Sequence, residues 1–167
     1  MTPTLQQARG GPTVLLVEDD PDHAYLTGLA FEDTLPPVTL HHVETGEACM
    51  AFLRHQEPYR DAPRPDLILL DLHMPRMSGY EVMEEIVRDE ALRSLPVVVM
   101  TSSSDPRDVE RMYRLRCNAY MVKPVDYTRF AQVVQALGSY WFDTAVLPGC
   151  ERWAAGKAPG ARGGATA

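Results

Sequence analysis

The sequence predicts an α/β fold, a doubly wound five-stranded parallel sheet in three layers with helices on both faces. Three observations lead there. Short apolar runs alternate with longer helical stretches in the order βαβαβαβαβα, and that pitch calls for parallel strands joined by right-handed crossovers. The run Leu67-Ile68-Leu69-Leu70 is unbroken aliphatic, as suits a strand buried on both faces. Several of the runs end in an acidic, hydroxyl or basic residue, which gathers polar chemistry at the carboxyl edge, where open α/β sheets bind their ligands.

Residues 13–17 form the first apolar run and lead into Glu18-Asp19-Asp20-Pro21. Asp20 is a good N-cap and Pro21 suits the first helical position. The helix that follows places Tyr25, Leu26, Leu29 and Ala30 on one face and stops before Pro36-Pro37. A second, more amphipathic strand spans 38–43, and a helix over 45–55 turns Ala48, Cys49, Phe52 and Leu53 inward. Three prolines in residues 56–65 make that stretch an irregular connection. The central strand, 67–71, precedes a helix at about 79–89 with Met83, Ile86 and Val87 inward.

Pro96 introduces a fourth strand, 97–101, ending in Thr101. Asp105-Pro106 repeats the cap-and-proline signal for a helix with a weaker apolar face. Residues 119–122 form the last strand and end at Lys123-Pro124. Asp126 caps a final helix carrying Phe130, Val133, Val134, Leu137 and Trp141. The expected organisation is a flexible lead over 1–12, one domain over 13–147, and a mobile tail over 148–167, where apolar periodicity is lost.

Composition bounds the function. A chain of 167 residues, 45% hydrophobic and 23% charged, suits one soluble globular domain. A net charge of −7 argues against nucleic acid as a partner, because phosphate backbones need a basic surface. With no secretory signal or membrane-spanning run, a cytoplasmic location without membrane attachment is expected. Cys49, Cys117 and Cys150 match no zinc spacing and read as ordinary packing residues or free thiols. Of the 16 basic residues only Lys123 and Lys157 are lysines, so a compact point charge at 123 stands out.

The carboxyl edge collects Glu18 and Asp19 from the first strand, Asp71 from the third, Thr101 from the fourth and Lys123 from the fifth. Grouped carboxylates repel and raise one another's pKa unless a cation lies between them. An oxygen-only set with an open coordination sphere suits Mg²⁺. A lysine and a hydroxyl facing that ion would supply charge and a hydrogen bond to a transferring phosphoryl group. The set reads as a carboxylate that accepts a phosphoryl group. Singly, each residue has an ordinary reading: a capped turn at 18–20, a strand-end Thr101, a surface Lys123.

Over residues 13–141 the chain resembles the receiver domain of two-component response regulators. The matching pieces are Val-Glu-Asp-Asp-Pro, Leu-Leu-Asp-Leu-His-Met-Pro-Arg-Met-Ser-Gly, Val-Val-Met-Thr-Ser and Ala-Tyr-Met-Val-Lys-Pro-Val. Thr101 lies 30 residues beyond Asp71, and Lys123 a further 22 beyond Thr101, which is the usual receiver spacing. The resemblance implies a flavodoxin-like strand order, 2-1-3-4-5. It implies that Asp71 is the phosphoacceptor and that Asp19 and Asp71 contact Mg²⁺ directly. Glu18 would do so through water, and His73 through its backbone carbonyl. Lys123 would hold a phosphoryl oxygen, Thr101 would swing in to bond it, and Tyr120 would follow inward. The Lys123–Pro124 bond would be cis. Such a protein accepts and slowly hydrolyses its own aspartyl phosphate and is not a conventional turnover enzyme.

His73 and Ser103 fall where receivers vary and tune hydrolysis of the acyl phosphate. The long 58–65 loop, Lys-Pro-Val-Asp, and a last helix ending Tyr140-Trp141-Phe142 resemble the small stand-alone receivers partnered with bacterial phytochromes. The implied partners are a sensor histidine kinase of the phytochrome type and a downstream relay or target protein. A homodimer through the last-helix face is a further implied contact, with Trp141 and Phe142 either anchoring it or covering the domain's own edge. The rival readings are a receiver-fold binding module that works without phosphorylation, a haloacid-dehalogenase phosphatase and a flavodoxin. The phosphatase needs a second Asp where His73 stands. The flavodoxin needs a phosphate-cradling loop where Glu18 and Asp19 stand.

Overall fold

The computed structural model describes residues 10–34, 36–150 and 153. Five strands and five helices alternate. They are β1 (Thr13–Val17), α1 (Pro21–Glu32), β2 (Thr39–Val43), α2 (Gly46–Leu53), β3 (Leu67–Leu70) and α3 (Gly79–Arg88). The second half holds β4 (Val97–Thr101), α4 (Pro106–Arg114), β5 (Ala119–Val122) and α5 (Tyr127–Gly138), and the chain continues into a π-helical extension, Ser139–Thr144. The sheet runs β2-β1-β3-β4-β5 with every neighbouring pair parallel. This is the predicted doubly wound, flavodoxin-like topology.

Strand alternation sorts the core into two halves. Leu15, Val17, Ile68, Leu70, Val97 and Val99 face the side covered by α2, α3 and Met112 of α4. Val14, Leu16, Leu67, Leu69, Val98 and Met100 face the other side, under α1 and α5. Each fully buried aliphatic side chain contributes about 1.5–3 kcal/mol of transfer free energy, so the three central strands carry much of the fold's stability. In α4 only Met112 is buried, in line with its weak apolar face.

One packing expectation is corrected. The buried residues of α1 are Ala24, Thr27, Ala30 and Phe31, while Tyr25 is exposed. Apolar side chains surround this helix almost evenly, so the sequence does not mark a face. Thr27 is buried without cost because its hydroxyl donates to the His23 carbonyl at 2.8 Å. At the other end, of the two roles left open for the last-helix aromatics, Phe142 takes that of covering the domain's own edge: it is buried in the chain's own core, with Trp141 packed against the same cluster.

The packed region also runs past the expected boundary at 147. Leu147 and Cys150 are buried, and Trp153 meets Phe142 edge-on with ring centroids 6.0 Å apart. These residues join the core cluster that lies under α1 and α5. The rest of the expected tail, and the lead over residues 1–9, lie outside the described residues.

The 56–65 connection is irregular, as expected, and is pinned by Tyr59, whose ring packs on Phe52 with centroids 5.5 Å apart. Cys49, Cys117 and Cys150 are buried free thiols. Burial pushes Cys49 up to about 12 and Cys117 to about 11, so both are inert packing groups. Among the described residues no helix is long and apolar enough to cross a membrane.

Candidate phosphoacceptor site

Sheet register assembles the site. Val17 pairs with Leu70, and the Asp71 amide donates to the Val17 carbonyl at 3.1 Å, so Glu18 and Asp71 leave adjacent strands side by side. On the other side Leu70 pairs with Val99, so β4 runs two residues further and delivers Thr101 to the same edge. Thr101 pairs with Val122, and the Lys123 amide donates to the Thr101 carbonyl at 2.7 Å.

The loop after Asp71 must return tightly to start α3, and Gly79 makes that return possible. A Cβ at position 79 would lie 2.4 Å from the Asp71 carbonyl oxygen and 2.8 Å from the Leu72 Cα. Ser78 then caps α3 in a capping box with Glu81, which fixes where the loop ends.

Glu18, Asp19 and Asp71 each place a carboxylate oxygen within 4.8 Å of the others. Glu18 and Asp71 are buried, whereas Asp19 is open to solvent. Lys123 lies among them with its side chain 8% exposed. Its ammonium donates to Glu18 Oε2 and lies 3.3 Å from Asp71 Oδ2. Burial pushes the Glu18 carboxyl up to about 7, against the pull of Lys123, and the Asp71 charge adds to the rise. Two buried carboxylates share one ammonium and an exposed third, Asp19, stands beside them, so negative charge is left over. That donor set fits a hard divalent cation held by oxygen.

Thr101 is fully buried, and its hydroxyl oxygen accepts from the Ser103 amide at 3.4 Å. Tyr120 is half-buried, and its hydroxyl donates to the Ser103 carbonyl at 2.9 Å. The two residues expected to move together thus already share Ser103 as a partner. His73 is exposed, with Nε2 3.8 Å from Asp108 Oδ2. Among the described residues the only cis peptide is Glu57–Pro58. The expected cis Lys123–Pro124 bond is therefore trans, an outcome that sequence leaves open because an X-Pro bond prefers trans by only about 0.5–1 kcal/mol.

Sequence reading missed two participants. His23, in the first turn of α1, places Nδ1 3.2 Å from Lys123 Nζ. Its signal was positional: the Asp20 cap sets the helix phase, and residue 23 then overhangs the strand edge. The second is Asp108, which accepts from Ser103 Oγ at 2.6 Å and from the Tyr80 hydroxyl at 2.5 Å. Those two hydroxyls hold its carboxyl below the usual range. Arg111 stacks 3.8 Å above the Tyr80 ring and closes this cluster. Nothing in sequence spacing links residues 73, 80, 103 and 108.

Known proteins agree with this architecture. The family model of the response regulator receiver domain matches residues 14–135. Response regulator Rcp1 of Synechocystis sp. is 38% identical over 139 residues, covering 81% of this chain and 92% of its own. The structure of the phosphorylated cyanobacterial phytochrome response regulator RcpA superposes with a TM-score of 0.80 at 36% identity, over 83% of this chain and 99% of that one. The Mn²⁺-bound form of Rcp1 gives 0.78 at 37% identity, over 82% and 99%. The sheet order, the carboxylates at its edge and this match over most of the chain make the protein a member of the response regulator receiver family.

Proposed function

We propose that the protein accepts a phosphoryl group on Asp71 from a sensor histidine kinase and passes the signal on by protein contact. One observation carries the reading. Asp71 is a buried carboxylate that meets two further carboxylates on one side and a lysine ammonium at 3.3 Å on the other. That is an environment for a dianion balanced by cations, and it lacks the second Asp that a phosphatase of the haloacid-dehalogenase type needs, since His73 occupies that place.

The chemistry is an in-line displacement. An Asp71 oxygen forms a bond to phosphorus as the bond from phosphorus to the kinase histidine nitrogen breaks. Asp19 and Asp71 directly, Glu18 through water and the His73 backbone carbonyl would hold Mg²⁺, which would neutralise the charge gathered on the phosphoryl oxygens. Lys123 directs a donor at the same oxygens. The Thr101 hydroxyl exchanges its Ser103 partner for the phosphoryl group. Tyr120, bonded to Ser103, follows and alters the surface of α4, β5 and α5. The aspartyl phosphate then hydrolyses slowly on its own.

The phytochrome-linked relatives support a kinase of the phytochrome type as the donor, and a cytoplasmic location fits that partner. The receiver is read as passing its signal to a relay or target protein, with self-association through the face of α5 and its π-helical extension, where Tyr127 and Tyr140 are exposed, as one route. Incubation with an autophosphorylated phytochrome kinase tests the assignment. Label should pass to this chain, be released by hydroxylamine as an acyl phosphate, and fail to pass to Asp71→Asn. Label that stays on the kinase, or that survives hydroxylamine, would contradict it.

A further inference from the structure

We infer that His23 is a positioning residue for Lys123: the lone pair of its Nδ1 anchors the ammonium beside Asp71. The inference rests on the reading of Asp71 as phosphoacceptor.

A lysine ammonium has three N–H donors and no acceptor. Around Lys123 Nζ stand three acceptors: Glu18 Oε2, Asp71 Oδ2 at 3.3 Å and His23 Nδ1 at 3.2 Å. All three donors are thereby used. A phosphoryl group on Asp71 claims the donor now aimed at that residue, and the other two stay fixed on Glu18 and His23. The ammonium is held in place while its third proton changes partner.

The contact uses the lone pair of Nδ1. His23 is 45% exposed and borders a cleft of ≈ 230 Å³ that it shares with Ser102, Lys123, Val125 and Tyr127. The other charged groups that bear on the ring are Asp20, whose Oδ2 lies 3.8 Å from the same nitrogen, and Lys123 with Glu18 and Asp71 behind it. Asp20 is committed to capping, accepting from the Asp22 and His23 amides, and so fixes the turn from which His23 reaches the ammonium.

The test is the initial rate of Asp71 phosphorylation by acetyl phosphate with Mg²⁺ for the full chain, His23→Ala and His23→Asn at one pH of about 8, together with the Lys123 ¹⁵Nζ resonance of each protein. His23→Ala should run about 3- to 10-fold slower, the effect of losing one hydrogen bond to a charged group, and its Nζ resonance should move. His23→Asn, whose Oδ1 takes the place of Nδ1, should restore both rate and resonance. An Ala variant as fast as wild type, or an Asn variant as slow as Ala, would overturn the inference.

If wild type takes no phosphoryl group, the phosphoacceptor reading fails, and the Lys123 ¹⁵Nζ resonance then decides on His23 alone. A resonance displaced in His23→Ala and restored in His23→Asn supports the anchor. A resonance that His23→Ala leaves in place overturns it.

Discussion

The Lys123 ammonium stands 3.3 Å from the Asp71 carboxylate although 52 residues separate them in the chain. The parallel pairing of β3 with β4 and of β4 with β5 makes that meeting unavoidable, because each strand end is fixed against the next. Replacing Lys123 by Met removes the one cation that, among the described residues, lies against both Glu18 and Asp71. The rate of Asp71 phosphorylation should fall about 100-fold, the usual cost of losing one preorganised charge-stabilising donor. Lys123→Arg should recover little, since a planar fork does not replace a point charge between two carboxylates. Initial rates with a small-molecule phosphodonor measure both.

Glu18 makes the metal-free fold sensitive to pH. Its folded carboxyl titrates near 7 against an ordinary 4.5, chiefly through burial. The folded state therefore binds the proton more tightly than the unfolded chain. Stability is greatest below about pH 4.5 as far as this group is concerned, and falls as pH rises to about 7, by at most about 3 kcal/mol. Divalent cation should cancel the fall, so Mg²⁺ should raise the melting temperature more near pH 8 than near pH 5. Glu18→Gln should flatten the metal-free profile. Thermal melts with EDTA and with Mg²⁺ at the two pH values check the sign.

Asp108 ties three elements together by accepting from Ser103 and Tyr80. Asp108→Ala leaves the buried Tyr80 hydroxyl unpartnered and should cost about 1–3 kcal/mol in urea unfolding. Tyr80→Phe on that background should then cost almost nothing more, because the hydroxyl it removes has already lost its acceptor. Additive losses in the double-mutant cycle would show the cluster to be uncoupled.

Gly79→Ala should act on the site from a distance of several residues. Its Cβ would meet the Asp71 carbonyl oxygen at 2.4 Å, and that atom is backbone. The strand end must shift, at a cost of about 1–3 kcal/mol, and Mg²⁺ affinity should drop with it. Isothermal titration and chemical unfolding on the same sample would register both losses together.

The sheet was legible because its strands are short, apolar and bounded by turn signals. Asp71, Thr101 and Lys123 were legible because each ends such a run. His23 and Asp108 were not, since both lie on helices and reach the site through side-chain direction rather than chain order. The burial of Phe142 was likewise hidden. Aromatic residues at a helix end read equally well as an interface or as a lid, and only their packing against the core under α1 and α5 decides between them. The inward face of α1 failed for a simpler reason: its apolar residues mark no single side.

The most direct test of the account is the intact mass of the protein after incubation with acetyl phosphate and Mg²⁺, beside Asp71→Asn and an EDTA control. The account predicts a gain of one phosphoryl group in wild type, lost in Asp71→Asn and lost with EDTA. A gain that persists in Asp71→Asn would place the chemistry on another residue. No gain, either here or from a phosphorylated phytochrome kinase, would leave a receiver fold that works without a phosphoryl group.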